Sequence, residues 1–161
     1  EMIRTETSAA VALNVASSGE GASFDSGNVS LVGDTSVMFD SVSQLTRIEL
    51  SIDQFPADEA FGLAFKDPSN GRTAQFDVSE DEVRFSLDGV RENPLDPAVL
   101  TPLVEGESIN LELLLDPVLE YGVVYINDFR ALTFRFYELN QYDIGLYSKA
   151  GLTATSVQRF E

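Results

Sequence analysis

Residues 45–52 read LTRIELSI, and the alternation of apolar and polar side chains in this stretch indicates the fold class. Ile48, Leu50 and Ile52 occupy every second position, with charged or hydroxyl-bearing side chains between them. A period of two over four to eight residues is typical of a β-strand that buries one face. We therefore predict a half-buried strand here.

The same alternation recurs along the chain. It is found in FGLAFK (61–66), TAQFDV (73–78), EVRFSL (82–87) and INLELLLD (109–116). Turn-forming residues separate these runs, as at Asp88-Gly89 and Asn127-Asp128. Helical spacing is not sustained anywhere, and Pro97 and Pro102 leave room for one helical turn at most within residues 96–104.

Many short alternating segments with frequent turns predict an all-β fold. We expect a two-sheet antiparallel β-sandwich of the concanavalin A-like or jelly-roll type, with at least ten strands. The length of 161 residues fits a single domain over residues 1–161. We expect the first and last strands to lie in the same sandwich.

The charge balance limits the classes of partner. The chain has 27 acidic and 10 basic residues, which give a formal net charge of −17. So negative a surface repels phosphate backbones and anionic lipid headgroups, and this argues against nucleic acid and membrane partners. No apolar run approaches the ~20 residues that a membrane-spanning helix needs.

The chain contains no cysteine and no histidine, and this limits the chemistry available to it. A disulfide framework, a thiol nucleophile and a Ser-His-Asp triad are excluded. We predict a protein that is not an enzyme and holds no cofactor or metal. The acidic segments Asp67–Gly71 and Ser79–Glu82 lack the spacing of a calcium loop, and we interpret them as acidic turns.

The C-terminal third carries a resemblance to a known family. A hydrophobic strand ends at Asp116, a second ends at Asn127-Asp128, and LTFR (132–135) and IGLY (144–147) follow. This order resembles the C-terminal β-sandwich of glycoside hydrolase family 32, which includes levanases, inulinases and invertases. It is also similar to the family 66 carbohydrate-binding modules. Val123 stands where family 32 has a glutamate.

The resemblance implies a non-catalytic accessory module of a larger, secreted or cell-surface protein. In the binding relatives such a sandwich recognises terminal fructosyl units of β-fructans such as levan or inulin. Two alternatives stay open. The sandwich could stabilise an attached catalytic propeller without binding sugar, or it could be an unrelated adhesion or interaction module.

Sugar recognition requires carboxylates, amides, arginines and an aromatic ring. The candidate ligand-binding residues are Asp116, Glu120, Tyr125, Asn127, Asp128, Arg130, Arg135 and Tyr147. We expect the arginines to donate hydrogen bonds, the aspartates to accept them, and Tyr125 or Tyr147 to pack on the sugar. A structural role competes in each case: Asn127-Asp128 suits a hairpin turn, Asp116 can cap backbone amides, and the arginines can form surface ion pairs.

Overall fold

A computed structural model describes residues 9–53, 61–79, 82–91, 98–99, 106–127, 130–135, 139 and 141–161. These residues form sixteen β-strands and no helix, so the all-β prediction is confirmed. The strands are β1 (Ala10–Val11), β2 (Val15–Ser18), β3 (Ala22–Asp25), β4 (Asn28–Leu31), β5 (Thr35–Val42), β6 (Thr46–Ile52), β7 (Phe61–Lys66), β8 (Thr73–Val78), β9 (Glu82–Leu87), β10 (Val90–Arg91), β11 (Ala98–Val99), β12 (Ile109–Asp116), β13 (Tyr121–Ile126), β14 (Arg130–Arg135), β15 (Tyr142–Ser148) and β16 (Leu152–Phe160).

The strands form two antiparallel sheets, each with eight strands among the described residues. Sheet I has the order β14-β13-β12-β6-β16-β4-β3, with β1 paired to β16. Sheet II has the order β10-β9-β8-β7-β15-β5-β2, with β11 paired to β9. Because Ala10 on β1 lies opposite Phe160 on β16, the expectation that the first and last strands share the sandwich is confirmed.

The period-two pattern of the sequence becomes the two faces of each sheet. On β6, Ile48 and Leu50 are buried, whereas the Glu49 side chain between them is 45% exposed. Apolar side chains of other strands are also buried, each 5% exposed or less: Leu63, Phe65, Phe76, Phe85, Leu111, Leu113 and Ile126. Burial of these apolar faces against each other is the main force that holds the two sheets together.

An aromatic cluster joins the two sheets where β14 packs against sheet II. The ring of Phe134 on sheet I stacks on Phe85 of sheet II with centroids 4.6 Å apart, and Phe76 and Phe65 lie 5.9 and 6.2 Å from the same ring. On β13, Gly122 lies opposite Phe134, and a Cβ at this position would collide with the Phe134 ring. The glycine therefore makes room for the ring.

The prolines of residues 96–104 leave room for one helical turn at most, and the structure has a short strand there. Ala98–Val99 form strand β11 and pair with Val83 and Glu82 of β9. Strand β9 thereby offers hydrogen-bond partners to the backbone groups of Ala98 and Val99. A helical turn would leave most of its own backbone groups without such partners. The remaining residues of that stretch lie outside the described part of the chain.

Candidate functional site

Asp116 ends β12 and caps the turn that follows. Its Oδ1 accepts hydrogen bonds of 3.0 Å from the backbone amides of Val118 and Leu119. Glu120 in the same turn has a left-handed backbone with a φ of 51°. The structural role that competed with ligand binding at Asp116 is therefore present, and a ligand role for Asp116 and Glu120 stays a prediction.

Asn127 ends β13 in the turn conformation that its residue type favours. Its φ is 49°, its backbone amide donates to the Asn110 carbonyl, and its Oδ1 accepts from the Asn110 amide, each at 2.8 Å. The turn interpretation is confirmed for Asn127, since these bonds fasten the end of β13 to β12. Asp128 lies outside the described residues.

The two candidate arginines lie at opposite ends of β14, the edge strand of sheet I. Only the backbone is described for Arg130. Arg135 is exposed and lies opposite Tyr121, which in turn lies opposite Asp116. Arg135 therefore lies in one cross-strand row with Tyr121 and Asp116. This row is at the first residue of β13, whereas Tyr125 lies near the last.

Tyr147 lies on β15 of sheet II, whereas Tyr125 lies on β13 of sheet I. The chain passes from sheet I to sheet II between β14 and β15. On β15 the side chains of Ile144 and Leu146 join the core, and the alternation turns Tyr147 to the outer face of sheet II. Its ligand role stays a prediction, at a separate surface from the other candidates.

The Tyr147 hydroxyl donates a hydrogen bond to Asp77 Oδ1 on β8. The side-chain amide of Gln75 donates to the same oxygen at 2.7 Å. Gly62 on β7 lies between the two strands, opposite both Tyr147 and Asp77, and a Cβ there would approach the Tyr147 ring to 3.1 Å. Burial raises the pKa of the Asp77 carboxyl above its ordinary value, and the hydrogen bond from Gln75 works against this rise.

A depression of about 210 Å³ opens on the outer face of sheet I and brings together polar side chains from three strands. We call it the β12 depression. Its polar lining residues are Glu49, Ser51, Asn110, Glu112 and Tyr125, with Leu50 and Leu111 of the same strands also lining it. Of these, only Tyr125 was a candidate from the sequence.

Cross-strand pairing builds the β12 depression. Tyr125 on β13 lies opposite Glu112 on β12, and Glu112 lies opposite Glu49 on β6. In the next row Asn110 lies opposite Ser51, whose Oγ donates a hydrogen bond of 2.7 Å to Asn110 Oδ1. Opposite side chains in an antiparallel pair have Cβ atoms ~4.5–5.5 Å apart, so these groups form one surface.

The depression is electrostatically negative. Glu49 and Glu112 are directly opposite each other, an arrangement in which like charges repel. Arg47 offsets part of this charge, because its Nε lies 3.6 Å from Glu49 Oε1. The same guanidinium lies 4.3 Å from the centre of the Phe160 ring, on the side of β6 away from Glu112 and Tyr125.

The lining of the β12 depression suits a polyhydroxylated ligand. Carboxylates accept hydrogen bonds from hydroxyl groups, whereas the amide of Asn110 and the hydroxyl of Ser51 can both donate and accept. Tyr125 supplies a ring that can pack on apolar C–H groups and a hydroxyl at its edge. Four of these residues were missed because their only signal in the sequence is a polar position on a predicted strand.

The described residues can also be compared with the requirements of a metal site and of a membrane-spanning helix. Among the described residues, no three acidic side chains come together in a way that could hold a metal ion. Nor does any described segment form a helix with the length and hydrophobicity needed to span a lipid bilayer.

The chain shares its fold with solved structures at low sequence identity. The carbohydrate-binding module CBM66 from Bacillus subtilis has a TM-score of 0.61 at 16% identity, over 94% of this chain and 97% of that one. The winged bean acidic lectin complexed with methyl-α-D-galactose has a TM-score of 0.58 at 9% identity, over 92% of this chain and 91% of the lectin.

The PSpry domain of TRIM65 has a TM-score of 0.63 at 13% identity, over 96% of this chain and 95% of that domain. Such likeness shows the sandwich fold alone. No protein-family model matches the sequence, and no curated protein sequence matches it.

Proposed function

We propose that this chain is a non-catalytic carbohydrate-binding module that holds a sugar unit in the β12 depression. The observation that carries the proposal is the placement of Tyr125 beside Glu112, Glu49, Asn110 and Ser51 on one open surface. A ring for C–H packing next to convergent hydroxyl acceptors and donors is the set of groups that sugar recognition uses.

The size of the depression favours a single sugar unit over a long chain. Its volume of about 210 Å³ is below the ~300–1,000 Å³ of pockets that enclose drug-sized ligands. Terminal fructosyl units of β-fructans such as levan or inulin are the ligands that we propose first, on the strength of the family 32 and family 66 resemblance. The shared fold with CBM66 and with a galactoside-bound lectin supports sugar binding more generally.

The wider setting follows from the same resemblance. We propose an accessory module over residues 1–161, attached to a fructan-degrading glycoside hydrolase that acts in a secreted or cell-surface setting. Catalysis would then reside in the attached domain, and this module would raise the local concentration of enzyme at the polysaccharide by tethering it.

A structural or interaction role is the second candidate, and an exposed apolar turn favours it. Val118 and Leu119 are 79% and 64% exposed at the tip between β12 and β13. The carboxylate of Asp116 holds their backbone amides, so the tip is preorganised for contact with a protein. Such a module would dock on a catalytic propeller and bind no sugar.

Calorimetric titration with levan, inulin and free fructose tests the proposal. We expect dissociation constants between about 10 μM and a few millimolar, because a small open site engages few atoms. Tyr125→Ala should weaken binding about tenfold or more through the lost ring contact, and Tyr125→Phe should retain most of the affinity.

Tyr121→Ala is the matched control, since it removes the same side chain from the same face of β13 outside the depression. If Tyr121→Ala abolishes binding and Tyr125→Ala does not, the sugar lies in the Arg135–Tyr121–Asp116 row instead. If a folded sample gives no heat with any of these carbohydrates, the structural role is favoured.

A further inference from the structure

We propose that Glu49 and Glu112 make the β12 depression selective for uncharged sugar units and exclude glycans that carry carboxylate or sulfate groups. This inference rests on the proposed function, because it concerns the ligand class of the same site. It goes further, since it assigns specificity to two residues whose placement opposite each other is not evident from the sequence.

The pairing register of β12 with β6 sets two carboxylates side by side. Glu112 lies directly opposite Glu49, and both line the depression next to Tyr125. An ionised carboxylate only accepts hydrogen bonds, so both glutamates can accept hydrogen bonds from the hydroxyl groups of a neutral sugar. An anionic group placed between them would be a third negative charge with no proton to offer.

No cationic side chain in the described lining of the β12 depression could anchor an anion. The lining of the described depression contains no lysine or arginine. Arg47 is near, but its Nε lies 3.6 Å from Glu49 and its guanidinium lies against the Phe160 ring. Anion-binding sites use arginine or lysine donors aimed at the ligand, whereas the guanidinium of Arg47 already contacts Glu49 and the Phe160 ring.

The charge of the whole molecule acts in the same direction. A net charge of −17 lowers the local concentration of any anionic polysaccharide around the protein. This long-range effect falls with added salt, whereas the contact between an anionic ligand and two facing carboxylates is local and is screened less. The experiment has to separate the two contributions.

The test compares inulin with carboxymethyl-inulin of the same chain length by calorimetric titration. We expect wild-type protein to bind the neutral member at least about tenfold more tightly than the anionic member at physiological salt. In the double variant E49Q/E112Q this preference should fall by about tenfold, because the carboxamides keep the shape and lose the charge.

The matched control is E20Q/D34N, which removes two negative charges at exposed positions that do not line the depression. It makes the net charge less negative by the same amount as E49Q/E112Q does, and it should leave the preference unchanged within about twofold. The single variants E49Q and E112Q provide intermediate values if the double variant does not fold.

The possible results distinguish a failure of the selectivity proposal from a failure of the proposed sugar binding. Equal affinity of wild-type protein for the neutral and anionic members overturns the inference and leaves sugar binding standing. An equal loss of preference in E20Q/D34N and E49Q/E112Q also overturns it, since net charge alone then explains the selectivity. If no neutral glycan binds to folded protein, the proposed function fails and the inference fails with it.

Discussion

At the scale of single residues, Asp67 and Asp77 should give stability opposite dependences on pH. Asp67 Oδ1 accepts hydrogen bonds from the hydroxyl and the backbone amide of Ser69. The Ser69 hydroxyl is the main cause that lowers the pKa of Asp67 below its ordinary value of 3.8. A carboxyl whose pKa is depressed by folding stabilises the protein above the unfolded-state pKa, and this contribution disappears as the pH falls through the folded-state pKa.

We therefore expect Asp67→Asn to lower the free energy of unfolding most at neutral pH, with a difference from wild type that shrinks towards pH ~2. Asp77 is the contrasting case, since burial raises its pKa. The stability that Asp77 contributes is fully present below the unfolded-state pKa and is lost as the pH rises through the folded-state pKa. On acidification, the free energy of unfolding of wild type should therefore increase relative to that of Asp77→Asn. Urea unfolding of the three proteins between pH ~2 and ~7 measures both trends, and parallel curves would contradict the assignment.

At the scale of elements, β12 shows that strand position matters more than residue type. Leu113 is 1% exposed at the centre of sheet I, whereas Leu119, three residues beyond the end of β12, is 64% exposed. Truncating Leu113 to alanine should lower the free energy of unfolding by about 2–5 kcal/mol through lost burial and a residual cavity. The same change at Leu119 should cost about 0.5 kcal/mol or less. Denaturant unfolding with unchanged slopes checks this, and similar costs at both sites would contradict the placement of β12.

At the scale of the whole molecule, the excess of acidic residues should make stability depend on salt. The net charge is −17, and some carboxylates, such as those of Glu49 and Glu112, lie directly opposite each other. The Debye length falls from about 30 Å at 0.01 M to about 3 Å at 1 M salt, so added NaCl weakens this self-repulsion. We expect the Tm to rise with NaCl, and to rise less steeply in E20Q/D34N. A Tm that stays flat or falls in scanning calorimetry would contradict a general charge effect.

Local features of the fold could be predicted from the sequence because they depend on near neighbours. The alternation in residues 45–52 identifies strand β6 and its buried face, since side-chain direction along a strand has a period of two. Asn127 and Asp116 indicate turns because their short polar side chains accept hydrogen bonds from nearby backbone amides. The many short alternating segments separated by turns likewise predict the β-sandwich.

The candidate site could be predicted only in part, because it is assembled from strands that are distant along the chain. Glu49 meets Glu112 and Tyr125 through pairing across more than sixty residues, and that register is set by how the two apolar faces pack together. Tyr147 lies close to Arg135 in sequence, yet the passage from sheet I to sheet II places it on the opposite surface. Residue patterns therefore establish strands, turns and the buried face, whereas the partner of each strand follows from long-range core packing, and with it the set of side chains that share a surface.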